Sequence, residues 1–200
     1  MQQAVDYLVL KDPVFREIIA LYGVPEMPKR PPGFETLALL ILEQQVSIDS
    51  ARAVFQKLKS KVSAFTPDFL IGLPDEIYRE AGVSRQKRTY IKGLSSAILN
   101  NEIVLDDLPS KFPDEIRTAL IKHKGIGNWT IDVYLLFCLS APDIIPLGDI
   151  AIINTIKELI DIHTKAEIEN YVTKWSPHRS TATCLLWHYY LTKRNRVSGY

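Results

Sequence analysis

Helix-start signals follow one another along almost the whole chain, while the apolar–polar alternation of strands is scarce. Asp12-Pro13 reads as an N-cap and first helical position, opening a helix that stops at Gly23. Phe34 to about Gln44 and Ser47 to Lys59 read as the next two helices. Thr66-Pro67 and Leu73-Pro74 begin short ones, and Ser84 caps a longer one through Ile98. Asp114-Glu115 opens a helix ending near His123, and Trp129 to Leu139 forms an apolar one. Asp149, Thr164 and Ser176-Pro177 mark the last three starts. The second of these runs from Ala166 to Trp175, and the third ends near Lys193 ahead of a frayed tail, Arg194 to Tyr200. The pattern predicts an all-α protein of about ten short helices. The proline-rich stretch Pro25 to Gly33 reads as a connector. One unit of two helical lobes is expected: a central lobe at about 33–140, with a helical hairpin at 114–139, and a second lobe from about 1–32 plus 141–200.

Composition removes several function classes. With 46% apolar and 24% charged residues, wholesale disorder is excluded. No apolar run reaches about eighteen residues, so no membrane partner is expected. The opening Met1-Gln2-Gln3-Ala4-Val5-Asp6 lacks a basic flank and an apolar signal core, which predicts an intracellular protein, cytoplasmic in a prokaryote or nuclear in a eukaryote. Cys138 and Cys184 sit in apolar surroundings and read as buried thiols rather than a disulfide; two cysteines cannot supply an iron–sulfur cluster. His123, His163, His178 and His188 show no zinc-ligand spacing. A net charge of +1 does not announce a nucleic-acid binder, so any such contact must come from local clusters such as Arg85-Gln86-Lys87-Arg88 or Lys122-His123-Lys124. Either cluster by itself is more often a solvated helix end than a binding site.

The most informative stretch is Leu120-Ile121-Lys122-His123-Lys124-Gly125-Ile126-Gly127-Asn128-Trp129-Thr130. Two glycines one residue apart permit a tight turn and remove side chains that would hold a ligand away. The amides after Gly127 lie at the positive end of the next helix, where a phosphate oxygen can sit. A plain helix–helix turn with a glycine C-cap fits the same residues. Lys122, Lys124 and Asn128 add cationic or donor groups beside it. Twenty residues beyond Trp129 comes Ile145-Pro146-Leu147-Gly148-Asp149. Asp149 is a good N-cap, worth about 1 kcal/mol. A helix start also favours the anionic form of a carboxylate. Such an anion stabilises the positive charge that builds on a sugar when its glycosidic bond breaks.

Hairpin, spacing, Gly/Pro loop and Asp together resemble the helix-hairpin-helix (HhH-GPD) DNA glycosylase superfamily, with a likeness spanning about Asp12 to Tyr190. The resemblance implies two helical lobes around a DNA-binding cleft and a DNA phosphate held at the turn, with Gly125 and Gly127 in contact. Asp149 would be the catalytic carboxylate facing a flipped nucleotide. It also implies a monovalent cation bound by the backbone carbonyls of about Ile121, His123 and Ile126; no cofactor is otherwise required. Many relatives that cut the DNA backbone carry a lysine nucleophile where this chain has Trp129, so a monofunctional enzyme is expected.

Leu42-Glu43-Gln44-Gln45-Val46-Ser47 resembles the loop that fills the DNA stack, with Gln45 as its wedge, although Gln45 also reads as a simple helix end. Gly82-Val83-Ser84-Arg85-Gln86-Lys87 resembles another family segment. Trp175-Ser176-Pro177-His178-Arg179-Ser180 to Trp187 resembles the C-terminal signature of the DNA-3-methyladenine glycosylase II type. Trp129 and Trp187 are then expected in a base pocket, where an indole face attracts a cationic alkylated purine by ~0.5–2 kcal/mol. Val133 and Ile150 stand where some members have tyrosines. Arg179 could grip a phosphate or brace the lobes, and Asp132 reads as a helix-start charge rather than a second acid. The expected partner is double-stranded DNA with alkylated bases, bound by a monomer. A non-catalytic DNA-binding module, or a glycosylase for oxidised or mismatched bases, are the alternatives.

Overall fold

The computed structural model describes residues 1–195. Twelve α-helices and two short 3-10 segments account for its regular structure, with no strand among the described residues. The chain divides into two compact units, passing from one to the other at Lys29–Arg30 and back at Tyr134–Leu135. Residues 196–200, most of the tail expected to fray, lie outside the described residues. No helix among the described residues is long and apolar enough to cross a membrane.

The unit Arg30–Tyr134 holds α3 (Phe34–Glu43), α4 (Ile48–Lys59), α5 (Pro67–Gly72), α6 (Asp75–Glu80), α7 (Arg85–Leu99), α8 (Pro113–Leu120) and the first turns of α9 (Asn128–Phe137). Its core gathers around α3, where Leu37, Ala38, Leu40 and Ile41 are wholly buried, with Leu58, Leu70 and Ile91 from neighbouring helices. Ser47 and Ser84 cap α4 and α7 as expected, accepting the amides of Ser50 and Lys87. A 3-10 segment, Leu105–Ser110, was not foreseen; it carries Pro109, which breaks the apolar periodicity that marks helices.

The other unit joins α1 (Gln2–Lys11) and α2 (Pro13–Tyr22) to α10 (Ile150–Ile160), α11 (Lys165–Tyr171) and α12 (Arg179–Lys193). Trp175 lies in its core with no exposed surface, edge-on to Phe15 at 5.0 Å. Its indole N–H donates to the buried carboxylate of Asp12 at 2.8 Å, and Lys174 pairs with the same carboxylate at 3.0 Å. Asp12 thus caps α2 and also ties the first two helices to the segment before α12. Helix α1 escapes sequence reading because Met1 offers its first turn no side-chain cap. The helix expected to reach Trp175 ends at Tyr171, and a 3-10 turn, Val172–Trp175, takes its place.

Candidate active site

In the unit Arg30–Tyr134 the loop at Gln45 and the Gly125–Gly127 turn touch. Gln45 is exposed and adopts a left-handed φ of 58°, so it forms the tip between α3 and α4. Its neighbour Gln44 turns inward, donating through Nε2 to the Gly125 carbonyl at 2.8 Å and to Thr130 Oγ1 at 3.0 Å. Two further contacts fix the end of α3. Lys87 Nζ caps the Leu42 carbonyl at 2.7 Å, and burial lowers its pKa. Arg30 makes a two-pronged pair with Glu43, both bonds 2.9 Å, with the Glu43 side chain 2% exposed. The lysine of the Gly82–Lys87 segment is therefore a cap on the end of α3, next to the Gln45 tip.

The two hairpin glycines do different work. Gly125 has φ +90°, and an added Cβ would lie 2.3 Å from Cγ of Tyr90. Only glycine fits between that ring and the turn. Gly127 has an ordinary φ, and an added Cβ would meet nothing within 4 Å. Its carbonyl accepts the Ile131 amide at 3.1 Å, so it sits just ahead of α9, whose first amides lack acceptors in their own helix. Gly127, Asn128, Lys122 and Lys124 are exposed here.

Arg117, which sequence reasoning missed, braces this hairpin. It donates to Asn128 Oδ1 at 3.1 Å and to Asp132, which is 6% exposed. The side-chain oxygen of Asn128 is thereby engaged within the protein. Asp132 is a buried ion-pair partner rather than a helix-start charge; burial pushes its pKa up by more than the Arg117 bond brings it down.

The carbonyl set expected to hold a cation belongs to the same turn. The His123 carbonyl accepts the Ile126 amide at 3.1 Å, which leaves it a second lone pair. With the carbonyls of Ile121 and Ile126 it offers uncharged oxygens, the donor type a hard monovalent ion takes. Among the described residues no cluster of His, Cys, Asp or Glu side chains could hold a metal ion.

In the other unit Asp149 is half-buried and caps α10, its Oδ1 accepting the amides of Ala151 at 2.8 Å and Ile152 at 3.2 Å. The next residue, Ile150, is 73% exposed, a large apolar side chain left beside the carboxylate. Arg179 is engaged with Asp143 of its own unit, Nε and Nη2 each at 2.8 Å. Cys184 is buried, which pushes its thiol up to about 12 and removes it as a nucleophile.

The four residues expected in a base pocket differ in access. Trp129, in the first turn of α9, is half-buried and Ile150 exposed. Trp187 is 4% exposed and packs its ring 5.4 Å from Phe137. Val133 has no exposed surface, so core packing accounts for it and it offers nothing to a base in this conformation.

Comparison with known proteins gives a consistent result. The family described as HhH-GPD superfamily base excision DNA repair protein matches residues 39–178. DNA-3-methyladenine glycosylase 1 of Schizosaccharomyces pombe is 29% identical over 168 residues, covering 80% of this chain and 73% of that protein. A DNA-3-methyladenine glycosylase of Bacillus subtilis is 26% identical over 184 residues, covering 84% of this chain and 59% of the relative. Among solved structures, the S. pombe 3-methyladenine DNA glycosylase Mag1 in complex with abasic DNA superposes with a TM-score of 0.85 at 25% identity, covering 99% of this chain and 98% of that one.

Proposed function

The chain belongs to the HhH-GPD superfamily of base excision DNA repair proteins, and from that premise we propose that it is a monofunctional DNA glycosylase that frees alkylated purines such as 3-methyladenine from duplex DNA. The enzyme class rests on relatives named DNA-3-methyladenine glycosylase and on a matching fold. The observation that carries the chemistry is Asp149, a carboxylate fixed at the N-terminus of α10 by two amides.

The reaction follows from that placement. The C1′–N bond breaks with its electron pair leaving on the base, and positive charge builds on the sugar. A fixed anion facing that charge lowers the barrier. A water oxygen then bonds to C1′ and passes its proton to the carboxylate, leaving an abasic site. A 3- or 7-alkylated purine already carries positive charge and departs as a neutral base, so no strong general acid is needed. The half-buried indole of Trp129 is assigned to the cationic base. The amides after Gly127 take a DNA phosphate, with Gly125 shaping the turn and Lys122, Lys124 and Asn128 around it. Gln45 fills the hole left by the flipped nucleotide. A monovalent cation on the carbonyls of Ile121, His123 and Ile126 would add positive charge beside that phosphate. The enzyme acts as a monomer.

The test is incubation with methylated duplex DNA, followed by chromatography of the released bases and borohydride trapping on abasic duplex. Free 3-methyladenine without a covalent adduct is expected, since an indole at position 129 forms no Schiff base. Absence of any released base, or an adduct, overturns the assignment.

A further inference from the structure

Asp149 ends a loop, and loops are the mobile parts of most proteins. Yet misplacing a reacting group by about 1 Å can cost on the order of 10²-fold in rate. The structure holds this loop through the start of α12. Ser180 Oγ donates to the Ala141 carbonyl at 2.5 Å and accepts the Ile144 amide at 2.9 Å. Its own amide donates to the Pro142 carbonyl at 3.1 Å, and the Thr183 hydroxyl lies between two carbonyls, Arg179 at 2.9 Å and Ile144 at 3.1 Å. Between them the Asp143 carboxylate accepts the Arg179 guanidinium twice, the Arg179 amide at 3.1 Å and the Ser176 hydroxyl at 2.8 Å.

From this clamp to Asp149 two backbone bonds turn the chain. The Leu147 amide donates to the Ile145 carbonyl at 3.0 Å, and the Asp149 amide to the Pro146 carbonyl at 2.9 Å. The Pro146 ring fixes its own φ. Helix α12 also holds α10 at its far end, where the Tyr189 hydroxyl donates to Glu158 at 2.8 Å and Lys193 pairs with the same carboxylate. One helix therefore grips the chain on both sides of Asp149.

Resting on the reading of Asp149 as the catalytic carboxylate, we propose that Arg179 is a positioning residue, which with Asp143 and Ser180 locks the loop 141–148 and so sets where the Asp149 carboxylate stands. This accounts for the residue types in the Ser176–Ser180 stretch. Ser180 is 3% exposed and Thr183 wholly buried, positions where a hydroxyl is costly unless bonded. The guanidinium meets a carboxylate in two-pronged geometry that lysine cannot reproduce.

The experiment compares wild type, Arg179→Lys, Asp149→Asn and the double variant. It measures single-turnover release of 3-methyladenine from methylated duplex and affinity for a duplex bearing a tetrahydrofuran abasic analogue. Arg179→Lys should lose about 10- to 100-fold in rate. It should keep its affinity for the analogue within about twofold, because the loss lies in the chemical step. The double variant should be no slower than Asp149→Asn, since both changes act through one group. A near wild-type rate for Arg179→Lys beside a disabled Asp149→Asn overturns the positioning role, and so does a further loss in the double variant. An Asp149→Asn variant at wild-type rate overturns the active-site reading instead. A readout that needs neither activity nor the Arg179 variant is hydrogen exchange at the Ala151 and Ile152 amides in Asp143→Asn. Faster exchange there than in wild type, with α3 amides unchanged, is expected; equal rates overturn the proposal.

Discussion

The glycine turn of one unit and the Asp149 loop of the other are both anchored, and an ion pair braces each. Beside the turn Arg117 pairs with Asp132, while Gln44 holds the Gly125 carbonyl and the ring of Tyr90 packs against Gly125. The Asp149 loop is held by Arg179 on Asp143, set among hydroxyl bonds. The turn thus adds a packed ring that only glycine admits, and the loop adds hydroxyls. The two carboxylates differ as well: Asp132 is 6% exposed, whereas Asp143 is half-buried. Burial outweighs hydrogen bonding at the first, and hydrogen bonding outweighs burial at the second.

The largest effect that would break this contrast is the loss of the Asp149 charge. Asn caps a helix about as well as Asp, so Asp149→Asn should keep its fold by circular dichroism while base release falls ~10²–10³-fold. A variant that unfolds would mean that the carboxylate serves α10 first.

Next come the two glycines. Gly125→Ala puts a methyl into the Tyr90 ring at a left-handed φ, and should cost about 3 kcal/mol or more in urea unfolding. At Gly127 an added Cβ meets nothing within 4 Å, so Gly127→Val should change stability little while affinity for all DNA sequences falls on the order of tenfold, ~1.4 kcal/mol. If the two variants behave alike, the division between a packing glycine and a ligand-facing one is wrong.

The smallest effect is in acid. Burial pushes Asp143 up, but the Arg179 guanidinium, the Ser176 hydroxyl and the Arg179 amide together bring it below the usual carboxylate range. Its share of stability is therefore present above the unfolded value of about 4 and lost as pH falls through the lower folded one. Asp132 in the hairpin unit is raised, so its linkage has the opposite sign: stability rises as pH falls through its folded value. Unfolding curves of Asp143→Asn should lose less stability than wild type below pH ~4, and those of Asp132→Asn should lack the compensating gain. Parallel curves for all three would show that neither carboxylate is linked to folding.

Much of this molecule is readable from local pattern. Asp12, Ser47, Ser84, Asp149 and Thr164 each cap the helix that follows, because a cap is decided within three residues. The Gly125–Gly127 turn and the exposed tip at Gln45 are legible for the same reason. The anchors are not. Gln44 meets Gly125 across 81 positions and Arg179 meets Asp143 across 36, separations at which no periodicity connects two residues. Asp132 shows the same limit, since its place in α9 suggests a dipole partner and only its burial against Arg117 reveals an ion pair. Val133 was expected at the pocket on a family correspondence, which carries position in the chain but not exposure.

The unit that carries Asp149 is assembled from both ends of the described chain, and this gives its folding a calendar. Helices α1 and α2 emerge before the rest of the described chain, yet the indole that donates to Asp12 stands 163 residues later. At about 5–20 residues per second, that interval is on the order of 8–30 s. Over that time the residues between Arg30 and Tyr134 have all been made, while the apolar faces of α1 and α2 wait for α12. A nascent chain stalled before Arg179 would hold the whole of the unit Arg30–Tyr134 and a loop 141–148 without its ion pair. One unit could then be complete while the other still waits for its last helix.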